Sequence, residues 1–161
     1  MNIQTVLIVC SGNLCRSPIA EGLLKGLLQD AKVQGVRVHS AGTLGIEGEP
    51  ASAHGIEACE REKDIDIGDH RSKGLDRQMI EDADLIFCMA ARHLAWIHQA
   101  TPDIQVNAHL LKAYAGVPAE LGWDVSDPVG MDYATYRTSC LELADLLETA
   151  LPRMREDLGC G

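Results

Sequence analysis

Val6-Leu7-Ile8-Val9-Cys10-Ser11-Gly12-Asn13-Leu14-Cys15-Arg16-Ser17-Pro18 decides how the rest of the chain is read. Its first four residues form a short apolar run, the pattern of a strand buried on both faces. From Ile19 to Leu28 apolar residues recur at helical spacing. A thiol therefore stands at a strand-to-helix turn, with an arginine six positions later and a serine after that. Backbone N–H groups at a helix N-terminus lack intrahelical partners and lie at the positive end of the helix dipole, so such a turn attracts anions. Gly12 and Asn13 suit such a loop, because glycine and asparagine tolerate positive φ best. The amides of Ser11, Gly12, Asn13, Leu14 and Cys15, with the planar guanidinium of Arg16, would then cradle a tetrahedral oxyanion. Pro18 fits the first helical turn. Ser17 is expected to be the N-cap and to donate to the Cys10 sulfur. The field of the loop also stabilises a thiolate, the nucleophilic form of cysteine. A buried structural cysteine beside an ordinary Gly-Asn turn is the bland alternative, but no simple turn needs all of these residues together.

The wider composition supports this reading. The chain has 161 residues, enough for one domain with a full core, and 46% of them are hydrophobic. A single domain over residues 1–161 is expected. No apolar run approaches the roughly 18 residues of a membrane span. The start, Met1-Asn2-Ile3-Gln4, lacks the basic and apolar regions of a signal peptide, so a cytoplasmic protein is expected. The formal net charge of −10 argues against nucleic acid as a partner. It also means that an anion site must be made locally by the loop rather than by the global field. Six cysteines are irregularly spaced, with no Cys-x-x-Cys pair; neither a disulfide framework nor a metal site is expected. Cys59, Cys88 and Cys140 read as core residues.

Apolar runs alternate with helical periodicity along the chain. Strands are expected over 5–9, 35–40, 84–89 and, more weakly, 106–110. Helices are expected over 17–31, 52–63, 76–82, 91–100 and 133–155. Such alternation implies an α/β fold, three layers with a parallel sheet between helices. Ligands of these sheets bind at the carboxyl ends of the strands, where Cys10 lies. If the sulfur attacks phosphorus, the leaving group needs a proton. Asp127 is the best candidate acid, because Pro128 restricts it to extended conformations and would aim its carboxyl; Asp124 is the fallback.

These residues resemble the low-molecular-weight protein tyrosine phosphatases. The resemblance runs through Val9-Cys10-x-Gly12-Asn13-x-Cys15-Arg16-Ser17-Pro18-x-Ala20-Glu21, then Ser40-Ala41-Gly42-Thr43, His70-Arg71-Ser72, Asp84-Leu85-Ile86 with Met89, and Asp127-Pro128. It implies a four-stranded parallel sheet with the phosphate-binding loop after the first strand, and a two-step, metal- and cofactor-free mechanism through a phosphocysteine. By that similarity Cys10 is the nucleophile, Arg16 holds the phosphoryl group, Asp127 is acid and then base, and Ser17 stabilises the Cys10 thiolate. Asn13 would hold a strained loop through Ser17, Ser40 and His70. Cys15 would trap an oxidised Cys10 as a disulfide. The implied partner is a phosphorylated protein, a bacterial tyrosine kinase being one candidate, and a monomer is expected.

The pattern also departs from the family. Members acting on phosphotyrosine usually carry an aromatic residue after Asp-Pro; here Val129-Gly130 follows. The substrate slot would be lined by Leu14, Leu44, Ile46 and Val129, with Trp123 and Tyr133 the nearest aromatics in sequence. Protein arginine phosphatases of the same fold are similar after Asp-Pro, but carry a small threonine where Leu14 stands. Related arsenate reductases need two further cysteines; Cys88 falls near one such place, but Ala95 is not cysteine. A non-catalytic phosphate-binding module would need neither the thiol nor the acid. Phosphotyrosine hydrolysis is therefore the expected activity, with phosphoarginine hydrolysis as the alternative.

Overall fold

The computed structural model describes residues 2–160. The chain runs β1 (Gln4–Cys10), α1 (Arg16–Asp30), β2 (Val36–Gly42), α2 (Ala53–Lys63), α3 (Arg77–Asp82), β3 (Leu85–Cys88), α4 (Ala91–Ala100), β4 (Ala108–Leu110), α5 (Leu111–Tyr114), a 3-10 turn (Ala119–Leu121) and α6 (Tyr133–Asp157). The four strands form one parallel sheet in the order β2-β1-β3-β4. β1 is central, with Val6 opposite Val38 on one side and Leu85 on the other.

Alternation along β1 sends its side chains to two cores. Val6, Ile8 and Cys10 pack with α1, α2 and α6 through Leu24, Ala58, Leu143 and Leu147. Leu7 and Val9 face Ile80 of α3 and Ile97 of α4. With both faces covered, the strand has no polar side, which is why it reads as a continuous apolar run. Among the described residues no helix is long and apolar enough to cross a membrane. Helix starts follow local chemistry: Asp76 accepts from the Met79 N–H at 2.9 Å, and Asp132 from the Thr135 N–H at 3.0 Å.

One detail of the loop after β1 differs from expectation. The helix begins at Arg16, so Cys15 occupies the N-cap position and Ser17 lies inside the first turn. The Ser17 hydroxyl is therefore free of capping and turns to the sulfur. Only Asn13 of the Gly12-Asn13 pair has positive φ, at 59°. The glycine that this loop cannot lose is Gly42, at the end of β2. A Cβ there would lie 2.6 Å from Ser11 O and 2.8 Å from Asn13 N, both backbone atoms. Gly42 thus lets the second strand end directly against the loop, where Thr43 N–H donates to Cys10 O and Leu44 N–H to Ser11 O. The fourth strand is also shorter than expected, because residues 106 and 107 pair with β3 only through Asn107 O.

Gly42→Ala should cost about 3 kcal/mol of stability, the scale of overpacking against rigid neighbours, and should weaken phosphate binding more than any other glycine-to-alanine change near the loop. Urea unfolding and phosphate titration check this; wild-type values in both would show that the loop does not depend on this close approach.

Candidate active site

Cys10 ends the central strand, 2% exposed, with Ser17 Oγ 2.9 Å from its sulfur. Asn13 Nδ2 donates to Ser17 Oγ at 2.8 Å and to Ser40 Oγ at 2.9 Å. Because Ser17 Oγ already accepts from Asn13, its own hydrogen is available to the Cys10 sulfur. Ser40 Oγ in turn donates to Glu21 Oε1 at 2.5 Å, and Glu21 pairs with Lys25. Asn13 Oδ1 accepts from the Lys73 N–H at 3.0 Å, and Asn13 O lies 2.8 Å from His70 Nε2. The amide of Asn13 is thus fully used, and its three partners fix which atom is nitrogen and which oxygen. The structure therefore brings Ser17, Ser40 and His70 around Asn13. Glu21 and Lys73 complete the set.

Arg16 is 2% exposed. Its Nη1 donates to Val125 O at 3.0 Å, and its Nη2 lies 3.3 Å from Asp127 Oδ2 and 3.4 Å from Ser11 Oγ. Its Nε is buried and has no partner. A buried guanidinium N–H left open is costly unless a ligand oxygen takes it, which is what a phosphoryl group beside Cys10 would supply. Asp127 also accepts from the Val129 N–H at 3.1 Å through Oδ1, which anchors the carboxyl on its own loop. Asp124 is engaged elsewhere: its Oδ1 accepts from Ala91 N–H at 2.9 Å, at the start of α4.

Cys15 is buried in the same core cluster as Cys10, its sulfur 3.2 Å from the Tyr136 hydroxyl, and burial pushes its thiol up. Leu14 and Ile46 flank Gly12, since a methyl placed there would touch both at 3.6 Å. Leu44 and Val129 are 67% and 60% exposed. The segment carrying Leu44 and Ile46 is held by Ser72, whose N–H donates to Glu49 O at 2.7 Å and whose carbonyl accepts from Gly48 N–H at 2.8 Å. Trp123 and Tyr133 are occupied: the indole N–H donates to Val117 O, and the Tyr133 ring packs on His54 and under Arg61.

Comparison with known proteins agrees with this geometry. A family model described as low molecular weight phosphotyrosine protein phosphatase matches residues 5–159. The chain belongs to this family. A protein-arginine-phosphatase of Geobacillus stearothermophilus is 33% identical over 153 residues, covering 95% of each chain. A probable low molecular weight protein-tyrosine-phosphatase, EpsP, of Ralstonia solanacearum is 30% identical over 95% of this chain and 97% of its own. The crystal structure of a low molecular weight protein tyrosine phosphatase from T. tengcongensis superposes with a TM-score of 0.86 at 33% identity, covering 93% of this chain and 99% of that one. Like the rest of its family, this phosphatase is a cysteine-dependent hydrolase.

One residue of the phosphatase site carried no sequence signal. His93, in the first turn of α4, is fully buried. Its Nδ1 accepts from the Ala90 N–H at 3.0 Å, which places the ring proton on Nε2, and Nε2 donates to Ser11 Oγ at 2.9 Å. Burial, helped by the Arg16 and Arg92 charges, lowers its pKa from 6.5 to about 4. A base depressed on folding contributes stability that is intact above its unfolded pKa and is lost as pH falls through its folded value. From pH 7.5 to 4.5 the wild type should lose about 2–3 kcal/mol more stability than His93→Gln. Equal losses in the two proteins, by urea unfolding at each pH, would remove His93 from that role.

Proposed function

We propose that this phosphatase hydrolyses phosphotyrosine in proteins, as a single domain over residues 1–161. Cys10, Arg16, Asp127 and Ser17 are its working groups. Phosphate oxygens enter the loop of residues 11–16, take the open Arg16 Nε–H, and displace Asp127 from Nη2. The Cys10 sulfur forms a bond to phosphorus as the bond from phosphorus to the phenolic oxygen breaks. Asp127, in its acid form, gives its proton to that oxygen. Asp127 then takes a proton from water as water attacks phosphorus, and Cys10 leaves as a thiolate held by the Ser17 hydroxyl. No metal or cofactor enters this sequence.

The observation that carries the choice of substrate is the apolar wall over Gly12. Leu14 and Ile46 meet there, with Leu44 and Val129 beyond. A phenyl ring lies well against such a wall. The charged guanidinium of phosphoarginine would lose hydration against it with no hydrogen-bond partner in return. The reading extends to a monomer in the cytoplasm acting on a phosphorylated protein, a bacterial tyrosine kinase being the candidate partner. Relatives named as protein-tyrosine-phosphatases are consistent with it, and the relative named as a protein-arginine-phosphatase supplies the competing substrate.

Turnover of a phosphotyrosine peptide beside a phosphoarginine peptide tests the choice. Wild type should favour phosphotyrosine, with Cys10→Ser inactive on both; a phosphoarginine preference would transfer specificity from Leu14 to the Val129 side of the slot. The acid is tested separately. Asp127→Ala should slow phenyl phosphate hydrolysis by about a hundredfold or more, and nitrophenyl phosphate hydrolysis far less, because nitrophenolate leaves without a proton. Equal losses would take the acid role from Asp127.

A further inference from the structure

The Ser11 hydroxyl is crowded with donors. His93 Nε2 donates to its oxygen at 2.9 Å, Arg16 Nη2 lies 3.4 Å away, and both Nε and Nη2 of Arg92 lie at 3.4 Å. A hydroxyl oxygen has two lone pairs and cannot satisfy all of these donors at full strength. Arg16 has Asp127 as its counter-charge. Arg92 is exposed, and among the described residues no carboxylate pairs with it. It reaches instead toward the mouth of the site, one hydroxyl away from the guanidinium that would clamp the phosphoryl group.

Helix energetics make this placement unusual. Arg92 is the second residue of α4, where the helix dipole favours an anion and opposes a cation. The anion is present, since Asp124 accepts from the Ala91 N–H. Arg92 is not turned to it, although the pair would be locally stabilising. On a chain of net charge −10, an unpaired arginine beside the reaction centre is a strong local exception. Leu14 and Ile46, which flank Gly12 in the same loop, offer no charge of their own.

We propose that Arg92 is a second anion subsite, which binds a glutamate or aspartate side chain adjacent to the phosphorylated residue of the substrate. This subsite rests on the reading that the loop of residues 11–16 holds a phosphoryl group carried by a peptide. An incoming carboxylate gives the Arg92 guanidinium the pair it lacks, and leaves Ser11 Oγ to His93 and Arg16. Arg92 thereby selects acidic sequences that the overall charge of the protein would otherwise repel. The contact is to the substrate's flank, so it acts on KM more than on kcat.

The test uses two pairs of peptides. Each pair is identical except for Glu or Gln at both positions flanking the phosphoresidue, and one pair carries phosphotyrosine, the other phosphoarginine. The readout is the ratio of kcat/KM for Glu over Gln within each enzyme, so that any general loss of activity cancels. Wild type should favour Glu by about threefold to fivefold, the size of an exposed ion pair, through KM and less so at high salt. Arg92→Gln should bring the ratio to one, Arg92→Lys should restore part of it, and Arg92→Glu should invert it. A Glu preference confined to the phosphoarginine pair would keep the subsite and overturn the phosphotyrosine reading. A wild-type ratio of one on whichever pair is hydrolysed, or a preference that survives Arg92→Gln, overturns the subsite.

Discussion

The site depends on the left-handed backbone of Asn13. At φ 59° this residue turns the chain between Cys10, which ends β1, and Arg16, which starts α1. The conformation is unfavourable for most L-residues and costs an asparagine least. It is held by four hydrogen bonds, to Ser17, Ser40, the Lys73 N–H and His70. These partners come from α1, from β2 and from the stretch before α3, so three separate pieces of chain must be in place before the loop can close. A strained residue that is over-determined in this way is characteristic of preorganised sites.

The same bonds extend beyond structure. Lys25, Glu21, Ser40, Asn13, Ser17 and Cys10 form a continuous chain of polar contacts from the surface of α1 to the sulfur. Each donor is committed in one direction, because Asn13 can only give hydrogens to the two serines. Ser17 is left with a single hydrogen and one place to put it. In the proposed mechanism the thiolate therefore has its donor already oriented, and no side chain needs to turn during sulfur attack or departure. Burial of Arg16 works in the same sense, as Val125 O fixes one end of the guanidinium while Nε is left without a partner.

Most of the architecture was legible in the sequence because its signals are local. The apolar run at residues 6–9, the helical spacing after Ile19 and the later alternation of strands and helices required no knowledge of neighbours. What escaped was set by register between distant segments. Gly42 is indispensable only because β2 pairs with β1 in a frame that brings its last residue against Ser11. Ser17 is a good N-cap by type, but the helix starts one residue earlier, at Arg16, and the sulfur claims the hydroxyl. His93 belongs to none of the motifs that the sequence offers. Its burial arises because α4 begins where β3 delivers Met89 and Ala90 beside the loop.

The sequence ranks Asp127 above Asp124 only through Pro128, since both carboxylates precede α6 in one short segment. Their partners separate them. Asp124 holds the first N–H of α4 and sits at the positive end of that helix, a place for an anchoring carboxylate. Asp127 is held differently at its two oxygens. Oδ1 is fixed by the Val129 N–H of its own loop, while Oδ2 meets Nη2 of the Arg16 fork. When phosphate oxygens draw that end of Arg16 toward the loop, Oδ2 loses its partner and Oδ1 keeps its own. In the proposed mechanism the carboxyl then stays anchored through Oδ1 and has Oδ2 free for the leaving group. The resting ion pair between Arg16 and Asp127 is thus the closed form of the proposed acid, and binding of the phosphoryl group is what opens it.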